Sequence, residues 1–140
     1  MFDDASISPT PFIDLNLPDT SNSASFSSST FKGMRTSVNG GFLSASGSGS
    51  VFLTDILVSH CEGFRGGALA IAESVKAFVS GSEFLHNKAT NGGGGFFVTG
   101  SSDIQVQSST FSYNAGQVAG AFYCTESGGL MLLNSEFSYN

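Results

Sequence analysis

Apolar residues along this chain come in short runs that alternate with small polar residues and return in the same order several times. In Ala24-Ser25-Phe26, Ala77-Phe78-Val79, Ile104-Gln105-Val106 and Leu130-Met131-Leu132 the outer two positions are apolar. Successive side chains of a strand leave on opposite sides, so this spacing of two predicts strands with one buried face. No run carries the i, i+3, i+4 stripe and caps of a helix; the runs are bounded by Gly, Ser and Asn and rich in Val, Phe, Tyr and Thr. An all-β chain is expected.

Two signatures punctuate the runs. A glycine pair opens an apolar stretch in Gly66-Gly67-Ala68-Leu69, Gly40-Gly41-Phe42-Leu43, Gly94-Gly95-Phe96-Phe97 and, more loosely, Ala119-Gly120-Ala121-Phe122. Phe-x-x-Asn closes the unit in Phe84 to Asn87, Phe111 to Asn114 and Phe137 to Asn140. Aligning the copies on Phe31, Cys61, Phe84, Phe111 and Phe137 gives a recurring step, longest from Phe31 to Cys61 and shortest from Cys61 to Phe84. Two positions earlier this register puts serine in every copy (Ser29, Ser59, Ser82, Ser109, Ser135). Five earlier it puts Phe26, Ile56, Val79, Val106 and Leu132, seven earlier Ala24, Thr54, Ala77, Ile104 and Leu130, and three later Met34, Phe64, Asn87, Asn114 and Asn140. Units of this size stack as solenoids, and with two strand-like runs per unit the expected object is a parallel β-helix of about four and a half coils, roughly 20 Å tall.

Each recurring residue has a physical reason to recur. Glycine suits a corner where another coil lies immediately above and below, through positive φ or close backbone approach. Stacked phenylalanines fill the interior, each contributing roughly 1.5 to 3 kcal/mol in transfer terms. Asparagine tolerates a left-handed turn, and its amide both donates and accepts, so stacked copies can bond coil to coil. Serine before the phenylalanine fits a crowded bend and can bond local backbone.

From Phe26 to Asn140 the paired motifs resemble the Gly-Gly-Ala-(Ile/Leu/Val) and Phe-x-x-Asn repeats of the chlamydial polymorphic membrane proteins and of similar repeat regions in other large surface proteins. Cys61 in place of Phe, Met34 and Phe64 in place of Asn, and the loosened pair at Ala119-Gly120 depart from that pattern. The resemblance implies a single-stranded, right-handed, pectate-lyase-like β-helix with coils of about 23 to about 30 residues. It also implies a cell-surface or extracellular setting, a role in adhesion or as a spacer, and a host or neighbouring surface protein or a glycan as partner.

Residues 1–23 fit the repeat poorly and are read as an irregular leader ahead of repeats spanning 24–140. Within it Ser8-Pro9-Thr10-Pro11 predicts extended or turn-like chain, whereas Phe12 to Leu17 predicts one strand of a degenerate leading coil. Ser44 to Ser50 is expected to be a solvent-facing turn or short loop. The end on Asn140, the last letter of a motif, suggests continuation into further coils, because solenoids normally finish with a cap.

Composition narrows the function. The 140 residues include fourteen phenylalanines, 40% are hydrophobic, only 11% are charged, and the net charge is −6. The five cations, Lys32, Arg35, Arg65, Lys76 and Lys88, are scattered, which speaks against nucleic acid as a partner. No apolar stretch approaches about 18 residues, so no membrane-spanning helix is expected. The acidic start Met1-Phe2-Asp3-Asp4 is not a signal peptide. Candidate chemistry is confined to His60, His86, Cys61, Cys124 and the acids Asp55, Glu62, Glu73, Glu83, Asp103, Glu126 and Glu136. Glu83 and Glu136 share a column with Thr110 between them, about 10 Å apart, wide even for an inverting glycosidase pair. The histidines are read as outward surface residues, and no Cys-x-x-Cys or paired-His spacing suggests a metal. Neither a catalytic residue nor a cofactor is expected. The leading reading is a non-enzymatic module; the alternatives are a piece of a carbohydrate-active β-helix enzyme with its catalytic coils elsewhere, or a component of an extracellular assembly.

Overall fold

A computed structural model describes residues 13–126 and 128–140; the predicted extended stretch Ser8 to Pro11 lies outside them. The described chain winds through five coils. The first holds β1 (Ile13–Leu17), β2 (Ser23–Ser27) and β3 (Thr30–Lys32). The second holds β4 (Leu43–Gly47), β5 (Ser50–Thr54), β6 (Leu57–Ser59) and β7 (Glu62–Arg65). The third holds β8 (Leu69–Ile71), β9 (Lys76–Ser80), β10 (Glu83–Leu85) and β11 (Lys88–Asn91). The fourth holds β12 (Phe96–Thr99), β13 (Asp103–Gln107), β14 (Thr110–Ser112) and β15 (Ala115–Gly116), and the fifth β16 (Phe122–Thr125), β17 (Gly129–Leu133) and β18 (Glu136–Ser138).

Corresponding strands of successive coils pair in parallel and build four sheets along the axis. The first runs β1-β4-β8-β12-β16, the second β2-β5-β9-β13-β17, the third β3-β6-β10-β14-β18 and the fourth, of three strands, β7-β11-β15. A complete coil therefore has four strands, where the sequence pattern predicted two runs. The extra ones are the three-residue strands and the fourth sheet, too short to show alternation. The strand expected within Phe12 to Leu17 is β1, which pairs residue for residue with β4, so the leading coil opens at Ile13, ahead of Ala24.

The register of the second coil differs from expectation. Val58, not Cys61, stands between Phe31 and Phe84, and with that change the successive steps of the column differ from one another by a single position. Leu53 and Val51 then take the places expected for Ile56 and Thr54, Ile56 replaces Ser59 in the serine column, and Cys61 replaces Phe64 in the asparagine column. The shift follows from packing: Val51, Leu53, Ile56, Val58 and Cys61 are all at most 2% exposed, whereas the rejected register would put Thr54 in an apolar column and the exposed Phe64 in the column of Asn87 and Asn114. The glycine columns shift by one in the fourth coil as well. Phe96 pairs with Leu69, so Gly93-Gly94, not Gly94-Gly95, is the counterpart of Gly66-Gly67, and Gly95 aligns with Ala68. Ser44 to Ser50 is not a loop: most of it forms β4, whose Ala45 points inward between Leu15 and Ile71.

Inside, Phe84, Phe111 and Phe137 stack with centroids 4.7 and 5.0 Å apart, and Phe96 meets Phe84 and Phe111 edge-on at 4.8 and 5.2 Å. At the corners glycine serves in two ways. Gly66 has φ +74°, and a Cβ on Gly67 would stand 2.2 Å from the Gly94 carbonyl oxygen of the next coil.

Candidate contact surface and the columns that build it

The turn between the third and fourth sheets carries two columns side by side. Asn87, Asn114 and Asn140 form the inner one, buried at Asn87 and Asn114 and exposed at Asn140. The Asn114 Oδ1 accepts from both the backbone N–H and the Nδ2 of Asn87 at 3.0 Å, and the Asn140 Oδ1 repeats this on Asn114 at 3.0 and 2.9 Å. Each Nδ2 also donates to a carbonyl of the preceding coil: Asn87 to Val58, Asn114 to Phe84 and Asn140 to Phe111. The ladder ends on the Cys61 backbone N–H, which donates to the Asn87 Oδ1. The left-handed residue of this turn is not the asparagine but the one before it: Gly33, His60, His86, Tyr113 and Tyr139 have φ between 54 and 70°. The amide ladder makes the asparagines necessary, and the outward residue takes the strain.

A second ladder joins the serines. The backbone N–H groups of Ile56, Ser82 and Ser109 donate to the Oγ of Ser82, Ser109 and Ser135 at 3.1 to 3.2 Å. Each of these hydroxyls donates in turn to the carbonyl two residues earlier. Among the described residues no buried side-chain nitrogen or oxygen lacks a partner. The structural positions Asn87, Asn114, Asn140, Gly66 and Gly67 are thus consumed by the architecture.

The left-handed positions project an exposed ring column: His60 and His86 stack at 5.0 Å, His86 and Tyr113 at 4.9 Å, Tyr113 and Tyr139 at 4.9 Å. The histidines are outward, as expected, but they are paired, one coil apart. The spacing was present in the sequence. The incorrect second-coil register hid it by placing His60 before the aligned column and His86 after it.

The outer face of the second sheet is the other prominent surface. One outward column reads Ser25, Phe52, Phe78, Gln105, Met131 and its neighbour Ser27, Thr54, Ser80, Gln107, Leu133. Phe52 and Phe78 stack at 5.0 Å. A cleft of about 300 Å³ opens beside Lys76, Phe78, Asp103, Gln105, Gly129 and Met131, where Gly129 leaves a gap in the column of Lys76 and Asp103. A second of about 220 Å³ lies along Phe52, Thr54, Phe78, Ser80, Gln105, Gln107 and Leu133. The two share Phe78, Gln105 and Met131 and so form one trough along the axis.

The acids do not gather. Glu83 and Glu136 lie on either side of Thr110 in the third sheet, Glu62 meets Arg35 at 3.6 Å, and Asp55, Glu73 and Glu126 sit at left-handed corners. Among the described residues no three of His, Cys, Asp and Glu come together. Both cysteines are free thiols. Burial raises the Cys61 thiol to about 11, partly offset by the backbone N–H groups of Met34 and Gly33, and also raises the half-buried Cys124.

The family described as "right handed beta helix region" matches residues 16–140. The chain belongs to that family. The β-helix expected from the repeats is therefore right-handed, and in this chain it is built from parallel sheets over five coils. No curated protein and no solved structure matches the chain.

Proposed function

We propose that this right-handed β-helix is a non-enzymatic contact module of a surface or secreted protein, acting in adhesion through the outer face of its second sheet. The observation that carries this reading is the trough along Phe52, Phe78, Gln105 and Met131. Apolar rings there alternate with amides and hydroxyls (Gln105, Gln107, Thr54, Ser80), and one charge of each sign, Lys76 and Asp103, stands at its edge. Mostly apolar concavities with a few polar groups are the usual form of ligand sites. An extended, weakly charged chain such as a glycan would lie along the axis and meet the same columns coil after coil. The resemblance to polymorphic membrane protein repeats supports the surface setting and a host or neighbouring partner.

The dispersal of the acids argues against the enzymatic alternative in this stretch, since polysaccharide cleavage needs a pair or cluster of carboxylates at short range. Glycan-array and calorimetric binding should show retention of a neutral or weakly charged oligosaccharide, weakened roughly tenfold by Phe78→Ala, as expected for loss of a central aromatic contact. No product release is expected, with or without added calcium. Unchanged binding in Phe78→Ala would remove the trough as the contact face. Sustained cleavage abolished by changing Glu83, Asp103 or Glu136 would replace the whole reading with the enzymatic one.

A further inference from the structure

We infer that His60 and His86 form a two-imidazole site for an exchangeable divalent transition-metal ion, independent of the trough. The two residues occupy the same column of successive coils, each at φ 54°, so their Cα–Cβ bonds project in parallel. Their backbones are clamped: the His60 N–H donates to the Leu85 carbonyl and the His86 N–H to the Ser112 carbonyl. The separation of the two side chains is therefore set by the coil spacing, not by a mobile loop. Both rings are exposed, their centroids are 5.0 Å apart with 19° between planes, and among the described residues no side-chain hydrogen bond engages either ring.

Two imidazole nitrogens bound to one tetrahedral ion at about 2.0–2.1 Å lie roughly 3.3 Å apart. As stacked, the in-plane lone pairs of the two rings run side by side, so both rings must turn out of the stack until one nitrogen of each faces the shared ion at that separation, a movement open to exposed side chains. The His60 ring has room to turn, because the column position beneath it is Gly33, which carries no side chain. On the other side Tyr113 stacks on His86 at 4.9 Å and limits its excursion away from His60. Neutral imidazole selects zinc, copper and nickel over calcium and magnesium. Two protein ligands leave coordination positions open, in contrast to the four that close a structural zinc site. The ion held here would keep water or a donor from a docked partner in those positions, and would exchange readily.

Titration of the tag-free 140-residue chain with Zn2+ at neutral pH tests the site, read by calorimetry and by the ring nitrogen resonances of both histidines. One Zn2+ per chain is expected, moving both sets of ring resonances together. His60→Gln and His86→Gln should each weaken binding roughly tenfold or more through loss of one of two ligands, with circular dichroism unchanged because neither ring is buried. Binding that survives in the double variant, resonance shifts confined to one ring, or one ion shared between two chains in sedimentation would each overturn the assignment, as would absence of binding at millimolar Zn2+.

Discussion

Phe111 shows most plainly what single residues contribute. It is fully buried between Phe84 and Phe137 and touches Phe96 and Phe122. Phe111→Ala should cost about 3–5 kcal/mol in denaturant melts, while the neighbouring, outward Thr110→Ala should stay within about half a kcal/mol. Ser112 would be a poor control, since it is only 7% exposed and shares a 2.8 Å hydrogen bond with Ser138. Cys61 makes a different point at the same scale. Its thiol is raised to about 11 in the folded chain, chiefly by burial. The folded state therefore keeps a proton that the unfolded chain gives up near 9. Stability from this group is fully present below pH 9 and is lost as pH rises towards 11, by up to roughly 2–3 kcal/mol. Melts of Cys61→Ser between pH 8 and 11 should show a shallower decline than those of the parent chain.

At the scale of elements, the corner between the fourth and first sheets decides whether strands of successive coils can meet. Gly67 has the Gly94 carbonyl oxygen and the Lys88 backbone nitrogen 2.2 and 2.5 Å from where its Cβ would be. Both are backbone atoms held by the stack, Lys88 at the start of β11 and Gly94 through its N–H bond to the Ala119 carbonyl, so neither can yield cheaply. Gly67→Ala should therefore cost about 3 kcal/mol or more and should loosen β8 and β12 first, visible as faster amide exchange there than in β9 and β13. Equal exchange across all four strands would show that the corner relaxes as a whole.

Across the whole molecule the stack is closed along its length and open at the fifth coil. Leu130 and Leu132 continue the inward columns of Ile104 and Val106, yet they are 41% and 43% exposed where their counterparts are 1%. β16, β17 and β18 are edge strands of their sheets, and exposed apolar edges pair readily with other chains. The 140-residue chain should accordingly associate end to end at tens of micromolar in sedimentation. Leu130→Gln combined with Leu132→Gln should reduce that association, and addition of one further coil with a polar outer face should suppress it. A stable monomer of the parent chain under these conditions would mean that the fifth coil is adequately covered in solution.

How far these features could be read beforehand depends on whether their cause is local. The all-β character, the parallel stack, most of the apolar columns and the corner glycines were legible because period-two alternation and a near-constant repeat recur from coil to coil. Residues such as Phe84, Phe111, Asn87 and Asn114 repeat the same chemistry at the same interval. The second coil is misleading because Cys61 and Ser59 imitate the spacing of a motif that this coil lacks, and the two registers are told apart by the pairing of Val58 with Phe31 and Phe84 and by the burial of Val51, Leu53 and Val58. The trough and the histidine pair were not legible for a related reason. Phe52 meets Phe78, and His60 meets His86, across a full coil of intervening chain, and such neighbours exist only once the register between coils is set by backbone pairing. The repeat by itself determined that the chain would coil and what would fill the coil. The tertiary structure decided which outward residues stand one above another, because surface side chains obey no hydrophobic pattern that could have announced their phase.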